Sequence, residues 1–276
     1  MTRGHSKSRI FLKGSKTYFT SSIFFPPQVR DDVFTLYAFL RVADDLVDCI
    51  PQRADDFFNM RQFWRNAELG TPANDPVIDD FVELAARVGF QQEWTEAFFH
   101  SMELDLIKKE YNALPETLEY VYGSAEVIGL YMMRIMGLPD EAEHPARMLG
   151  RAMQYINFIR DINEDIGLGR RYLPLRDSAL TSLLPEETHK KPDAFRRFVA
   201  EELERYLGWQ KEAEAGFCHL PRRYRIPVAT ASDMYAWTAR TIRRDPFVVY
   251  RRKVKPSRLR IVFNIIRRFA AIRECP

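Results

Sequence analysis

Cysteine is scarce and unpatterned: Cys49, Cys218 and Cys275 are odd in number and far apart. That spacing suggests neither a disulfide framework nor a zinc-ligand cluster and suits a reducing cytoplasm. Glycine is also sparse, at 12 of 276 residues. No Pro/Gly/Ser-rich linker, low-complexity block or fixed-period repeat divides the chain, so one continuous domain over 1–276 is expected. No run of about 18 apolar residues is present to span a bilayer. The basic, polar stretch Met1 to Leu12 lacks the apolar core of a secretion signal. Charge of one sign is lacking too, with a net charge of +3, and global electrostatics therefore give no argument for a nucleic-acid partner. A Gly-x4-Gly-Lys-Ser/Thr loop is missing, which sets aside the ordinary P-loop NTPases and kinases.

What is present is a 46% hydrophobic chain, enough to bury a large core. Apolar residues recur three or four apart rather than in alternation, the pattern of helices. Pro26-Pro27 introduces a helix over 28–50 that ends before Pro51. Further helices are expected over 54–68, 76–88, 93–111, 116–136, 146–166, 193–218 and 229–244. Connections carrying Pro72, Pro115, Pro139 and Pro221 are short, which predicts an all-α bundle of antiparallel neighbours with any site between facing helices. Gly167, Gly169 and Pro174 mark a helix end followed by a loop.

Two acidic clusters stand out. In Arg41-Val-Ala-Asp44-Asp45-Leu-Val-Asp48, Asp44 and Asp48 are four apart, so a helix sets both carboxylates on one face, one turn apart. The spacing recurs in Asn157-Phe-Ile-Arg160-Asp161-Ile-Asn-Glu164-Asp165, which predicts a stripe of Asn157, Asp161 and Asp165. Such pairs on an isolated helix are ordinarily a solvated face, but Phe39, Leu40, Leu46 and Val47 surround the first and Ile156, Phe158, Ile159 and Ile162 the second. Carboxylates in such surroundings need partners, either basic side chains such as Arg41 and Arg160 or a metal ion. With no His or Cys in either stripe the metal is a hard one, and magnesium bound through a carboxylate or two plus substrate phosphates fits. A phosphate-bearing substrate also needs fixed cations, for which Lys16, Arg41, Arg160, Arg170 and Arg171 are candidates.

These segments resemble the squalene/phytoene synthase family. The likeness runs through Tyr37-Ala-Phe-Leu-Arg41-Val-Ala-Asp44-Asp45-Leu-Val-Asp48, Gln154-Tyr-Ile-Asn157-Phe-Ile-Arg160-Asp161-Ile-Asn-Glu164-Asp165 and Arg170-Arg171-Tyr172-Leu173-Pro174. Ser15-Lys16-Thr17 and Tyr120-Val-Tyr-Gly123-Ser-Ala125-Glu-Val-Ile-Gly129 support it, and residues 11 to 255 are covered. The resemblance implies an isoprenoid synthase fold, a single large helical bundle around a deep apolar cavity. It implies three magnesium ions held by Asp44, Asp48, Asn157, Asp161 and Asp165. Ser15, Lys16, Thr17, Tyr37, Arg41, Tyr120, Gln154, Arg160, Arg170 and Tyr172 would then contact the diphosphate or order its lid, and Tyr235 joins them as a further site tyrosine. Gly14 and Glu126 depart from the family pattern, and Glu126 leaves open whether an extra acid approaches the cavity or faces solvent.

The resemblance further implies a prenyltransferase joining two prenyl diphosphates head to head through a cyclopropyl diphosphate. Tyr37, Phe39, Tyr120 and Tyr122 are candidate aromatic faces for a carbocation, with core packing as the alternative for each. Small residues at Thr20, Ser21 and Ser22 favour two geranylgeranyl diphosphates and phytoene, a step in carotenoid biosynthesis. Farnesyl diphosphate giving dehydrosqualene, or squalene if NADPH is a cofactor, is the alternative. A terpene cyclase, a head-to-tail elongation enzyme and a non-catalytic scaffold retaining the fold stay open. Finally, 257–276 reads as a basic amphipathic helix, either the last bundle helix or a peripheral contact with the inner face of a membrane.

Overall fold

The computed structural model describes residues 25–176 and 178–271. These residues form helices and loops without a strand; an isolated bridge joins Glu110 to Arg171. The helices are α1 (Pro27–Asp48), α2 (Ala54–Glu68), α3 (Pro76–Val88), α4 (Gln92–Ile107), α5 (Leu114–Val121), α6 (Val127–Ile135), α7 (Glu143–Arg160), α8 (Ile162–Gly167), α9 (Pro185–Lys190), α10 (Pro192–Ala215), α11 (Arg222–Arg244), α12 (Val248–Arg251) and α13 (Arg258–Ala271). Local chemistry starts and stops them. Proline occupies the first turn of α1, α3, α5, α9 and α10, where its missing N–H costs nothing. Asp75 caps α3 by accepting from the Val77 N–H at 2.7 Å, and Gly89 closes it in the left-handed region at φ +78°.

The ranges expected for α2 and α3 match to the residue; the other six differ at their ends or by a break, three of them for identifiable local reasons. The expected helix 93–111 stops at Ile107, because the following residues pair with the Arg171 strand of chain: Tyr111 N–H donates to Arg171 O at 3.0 Å and Arg171 N–H to Lys109 O at 2.8 Å. The expected helix 116–136 contains a π-helical turn, Tyr122–Glu126, in which the Val127 N–H reaches back to Tyr122 O. The expected helix 146–166 breaks at Asp161, whose φ of −100° and ψ of 15° separate α7 from α8. α11 begins at Arg222, ahead of the expected start, and carries Pro227 in its second turn.

α7 is the central element, packed along α10, α6, α11 and the π turn. One core lies among α1 to α4 and α6, with Phe39, Phe57, Trp64, Phe81 and Phe99 fully buried. A second surrounds α5, α7, α10 and α11. α6 and α7 approach backbone to backbone at Gly129 and Gly150, where a Cβ would collide with the carbonyls of Ala146 and Ala125. Glu126 is completely buried there and paired with Arg147 at 3.0 Å and Arg151 at 2.7 Å, so it is an internal ion cluster and not a solvent-facing acid. α13 packs Ile261 and Ile265 on Ile226 and Met234 of α11, and Asp233 ties Arg268 at 2.7 Å. Its outer face leaves Leu259, Val262, Phe263 and Ile266 exposed.

Candidate active site

The fold leaves a cavity of about 350 Å³ between α1, α4, α6, α7 and α11. Most of its wall is apolar, with Phe98, Met102, Met132, Met133, Met136 and Phe217 among the lining side chains. Its polar wall is made of predicted residues: Tyr37, Arg41 and Asp44 from α1, Tyr120 from α5, Gln154 and Asn157 from α7, and Tyr235 from α11. The i, i+4 logic holds on α1. Asp44 accepts from Arg41 Nη1 at 2.8 Å, and the same guanidinium bonds Asp45. Burial and the neighbouring charge of Asp48 push the Asp44 carboxyl up to about 7.

Asp48 is one turn on, and Arg170 Nη1 donates to its Oδ1 at 2.7 Å. Arg170 arrives from the loop after α8, which brings the two acidic segments into electrostatic contact. Asp161, at the break, is bonded by Arg160 Nε at 2.9 Å and has Lys253 at 3.5 Å. The break leaves the backbone ladder running, with Asp161 N–H donating to Asn157 O at 2.8 Å and Asp165 N–H to Asp161 O at 2.9 Å, and of the expected stripe Asn157 lines the larger cavity and Asp165 a smaller one. Burial, together with Asp161 and Glu164, pushes Asp165 up to about 8. Asp165, Arg170 and Tyr172 border a smaller cavity of about 230 Å³ beside the first. Ser15, Lys16 and Thr17 lie outside the described residues.

Not every candidate is free to serve the site. Arg171 borders the smaller cavity, but its guanidinium is engaged by the loop, donating to Glu110 at 2.9 Å and to the Tyr111 and Leu173 carbonyls. Phe39 is core, stacked on Phe81 with ring centroids 3.8 Å apart. Tyr122 lies under Arg147 and does not line the cavity. One acid escaped the sequence reading: Asp105 on α4, 3% exposed and bonded by the hydroxyls of Tyr120 at 2.7 Å and Tyr172 at 2.6 Å. It belongs to no spaced pair, and only its isolation in an apolar stretch could have marked it.

The donor set suits magnesium. Asn157 Oδ1 is buried without a hydrogen-bond partner, and burial first, with neighbouring carboxylates second, pushes Asp44 and Asp165 toward protonation, which a bound cation would oppose. Among the described residues no three His, Cys, Asp or Glu side chains are grouped closely enough to hold a metal alone.

Comparison with known proteins agrees with this architecture. The model of the squalene/phytoene synthase family matches residues 11–260. The chain belongs to this family. It is 31% identical to the 15-cis-phytoene synthase of Pantoea ananas over 240 residues, covering 80% of this chain and 76% of that one. With the 15-cis-phytoene synthase of Paracoccus sp. (strain N81106 / MBIC 01143) it shares 29% identity, over 92% and 86% of the two chains. A dehydrosqualene synthase solved with a ligand superposes with a TM-score of 0.83 at 22% identity, covering 96% of this chain and 95% of that one. The fold is thus the all-α isoprenoid synthase fold, and the squalene/phytoene synthase chain is a prenyltransferase-type enzyme of a generally magnesium-dependent family using prenyl diphosphates. No helix of the described residues is long and apolar enough to cross a membrane.

Proposed function

We propose that this squalene/phytoene synthase condenses two geranylgeranyl diphosphates head to head, through a cyclopropyl diphosphate, to phytoene, releasing diphosphate. The observation that carries the reading is one apolar cavity with Asp44, Arg41, Asn157 and Tyr235 gathered on its polar wall and Asp48, Asp165 and Arg170 beside it. The names of the Pantoea and Paracoccus relatives support phytoene as the product.

Asp44, Asp48, Asn157, Asp161 and Asp165 would hold magnesium, three ions in all with diphosphate bound. Bound there, magnesium supplies positive charge to the departing diphosphate. Arg41, Arg160 and Arg170 add fixed cations around the same oxygens, with Ser15, Lys16, Thr17 and Gln154 completing the substrate contacts. The apolar wall excludes water from the allylic carbocation, and the rings of Tyr37, Tyr120 and Tyr235 offer π-faces to the moving charge. Burial raises the hydroxyls of Tyr37 and Tyr235, which stay neutral and able to donate or accept hydrogen bonds near the leaving group, while the Tyr120 hydroxyl is given to Asp105. The second prenyl double bond attacks the cation and a proton is lost as the cyclopropyl diphosphate closes; departure of the second diphosphate, rearrangement to the 1-1′ linked cation and loss of a second proton then give the hydrocarbon without a reductant.

The test is incubation of purified protein with magnesium and geranylgeranyl or farnesyl diphosphate, with and without NADPH, followed by mass analysis of extracted hydrocarbons. A C40 product without NADPH is expected. A C30 product from a mixture of both substrates overturns the choice of substrate, with NADPH dependence separating squalene from dehydrosqualene. No hydrocarbon and no diphosphate release overturns the enzymatic reading. The apolar outer face of α13 among its arginines suits peripheral contact with an anionic bilayer, which takes up so apolar a product. Unchanged sedimentation with anionic vesicles after deletion of 257–276 removes that contact.

A further inference from the structure

Asp105 sits between the two acidic segments and outside every motif. Its Oδ2 accepts from the Tyr120 hydroxyl at 2.7 Å, its Oδ1 from the Tyr172 hydroxyl at 2.6 Å, and Arg170 Nη1 stands 3.9 Å from Oδ1. Its backbone carbonyl accepts from Arg170 Nη2 and from Gln52 Nε2, at 3.2 and 3.1 Å. Arg170 meanwhile donates to Asp48 Oδ1 at 2.7 Å and to the Val47 carbonyl at 3.2 Å. The guanidinium therefore has one carboxylate in direct contact, on an acidic helix, and a second just out of hydrogen-bond reach behind it. The direct donors to that second carboxylate are two neutral phenols, both from residues placed at the site. The charge of Asp105 is felt by Asp44 and by Asp165, which places it between the segments.

A buried carboxylate with this arrangement has a position to hold. With a cation on Asp48, Arg170 would lose the one carboxylate it touches and keep only neutral acceptors, among them the Val47 and Asp105 carbonyls on Nη2, so that the Asp105 carboxylate would be the negative charge left behind it. We propose that Asp105 is a positioning residue that fixes Arg170, Tyr120 and Tyr172 as one unit, keeping the arginine at the diphosphate once a cation occupies Asp48. This rests on the assignment of Asp48 to magnesium and Arg170 to diphosphate made above. The anchor acts through Arg170 and touches no reacting atom.

The test uses the full chain and inorganic diphosphate with magnesium, read by calorimetry, beside circular dichroism and thermal unfolding. The variants are Asp105→Asn, Arg170→Ala and the pair together. Asp105→Asn is expected to stay folded, to bind magnesium diphosphate at least tenfold more weakly and to raise the magnesium midpoint. The double variant is expected to bind no more weakly than Arg170→Ala alone, because the two residues act as one unit. Binding within twofold of the parent, or losses that multiply in the double variant, overturns the proposal. Should Asp105→Asn not fold, Asp105→Glu carries the test, since it keeps the charge and alters the reach. A folded Asp105→Glu protein with weakened diphosphate binding supports the anchor, and one with parental binding overturns it. A parent protein that binds no magnesium diphosphate overturns the functional reading as well; a parent that binds, with unaffected variants, overturns the anchor alone.

Discussion

The two acidic segments have the same spacing but different supports. Asp44 and Asp48 ride one uninterrupted 22-residue helix, with Arg41 of that helix as the partner of Asp44. Asn157, Asp161 and Asp165 straddle a break, with Asn157 on α7, Asp161 at the joint and Asp165 on a helix of six residues. Each set also takes a partner from outside its helix: Arg170, in the loop after α8, bonds Asp48 of the first, and Lys253 reaches Asp161 and Glu164 of the second from beyond α12. A single helix spaces the first set, whereas the spacing of the second is carried across the joint at Asp161. The same spacing in sequence therefore stands for two different backbone supports.

Both sets are expected to matter equally to chemistry, and the largest effect tests that. Asp44→Ala and Asp161→Ala should each lower turnover by about 10³-fold or more while far-ultraviolet dichroism stays helical. Near-normal turnover of either variant breaks the comparison by removing that segment from the metal site. Next in size is Glu126→Gln, which leaves both segments untouched and strips the buried partner of Arg147 and Arg151. It should cost roughly 3 kcal/mol in urea unfolding, as broken buried ion pairs do, with little change in KM. A changed KM with unaltered stability would move Glu126 into the site.

Acidity offers a third measurement. With Asp44 at about 7 and Asp165 at about 8, protons compete with magnesium as the pH falls, so the magnesium midpoint should rise about tenfold per unit below pH 7. In the metal-free protein the sign reverses. Both carboxyls bind their protons more tightly folded than unfolded, so their contribution to stability is full below the unfolded value near 4 and is lost as the pH rises through 7 to 8. The melting temperature without magnesium should fall across that interval. A flat melting profile there would mean that neither carboxyl is desolvated. The smallest effect is reserved for Lys253→Ala, an exposed pair on the second segment alone. It should reduce turnover by roughly threefold to tenfold and leave diphosphate contacts on α1 intact.

Much of this was legible from residue spacing. The helices 54–68 and 76–88 follow from periodicity, and Asp44, Arg41 and Asn157 from their spacing between apolar neighbours, while Tyr37 and Gln154 are marked by the family resemblance alone. What escaped depends on contacts distant in sequence. Asp105 carries no motif, because its partners Tyr120, Tyr172 and Arg170 come from 15 to 67 residues away. The end of α4 at Ile107 depends on the pairing of Tyr111 with Arg171. Glu126 could be read either as a surface acid or as an approach to the cavity, and only the packing of α7 turns it onto two arginines.

The π turn at Tyr122–Glu126 has a consequence for heredity. A turn closed by an i→i−5 bond carries one residue more than an α-helix needs, and losing that residue would leave a continuous, well-formed helix. Every side chain downstream would nonetheless be rotated by about 100°. Gly129 would leave the Ala146 carbonyl it must pass, and Met132 and Met133 would trade the cavity wall for other neighbours. A single-codon deletion here would therefore look silent to any method that counts helix and yet dismantle the wall of the chamber.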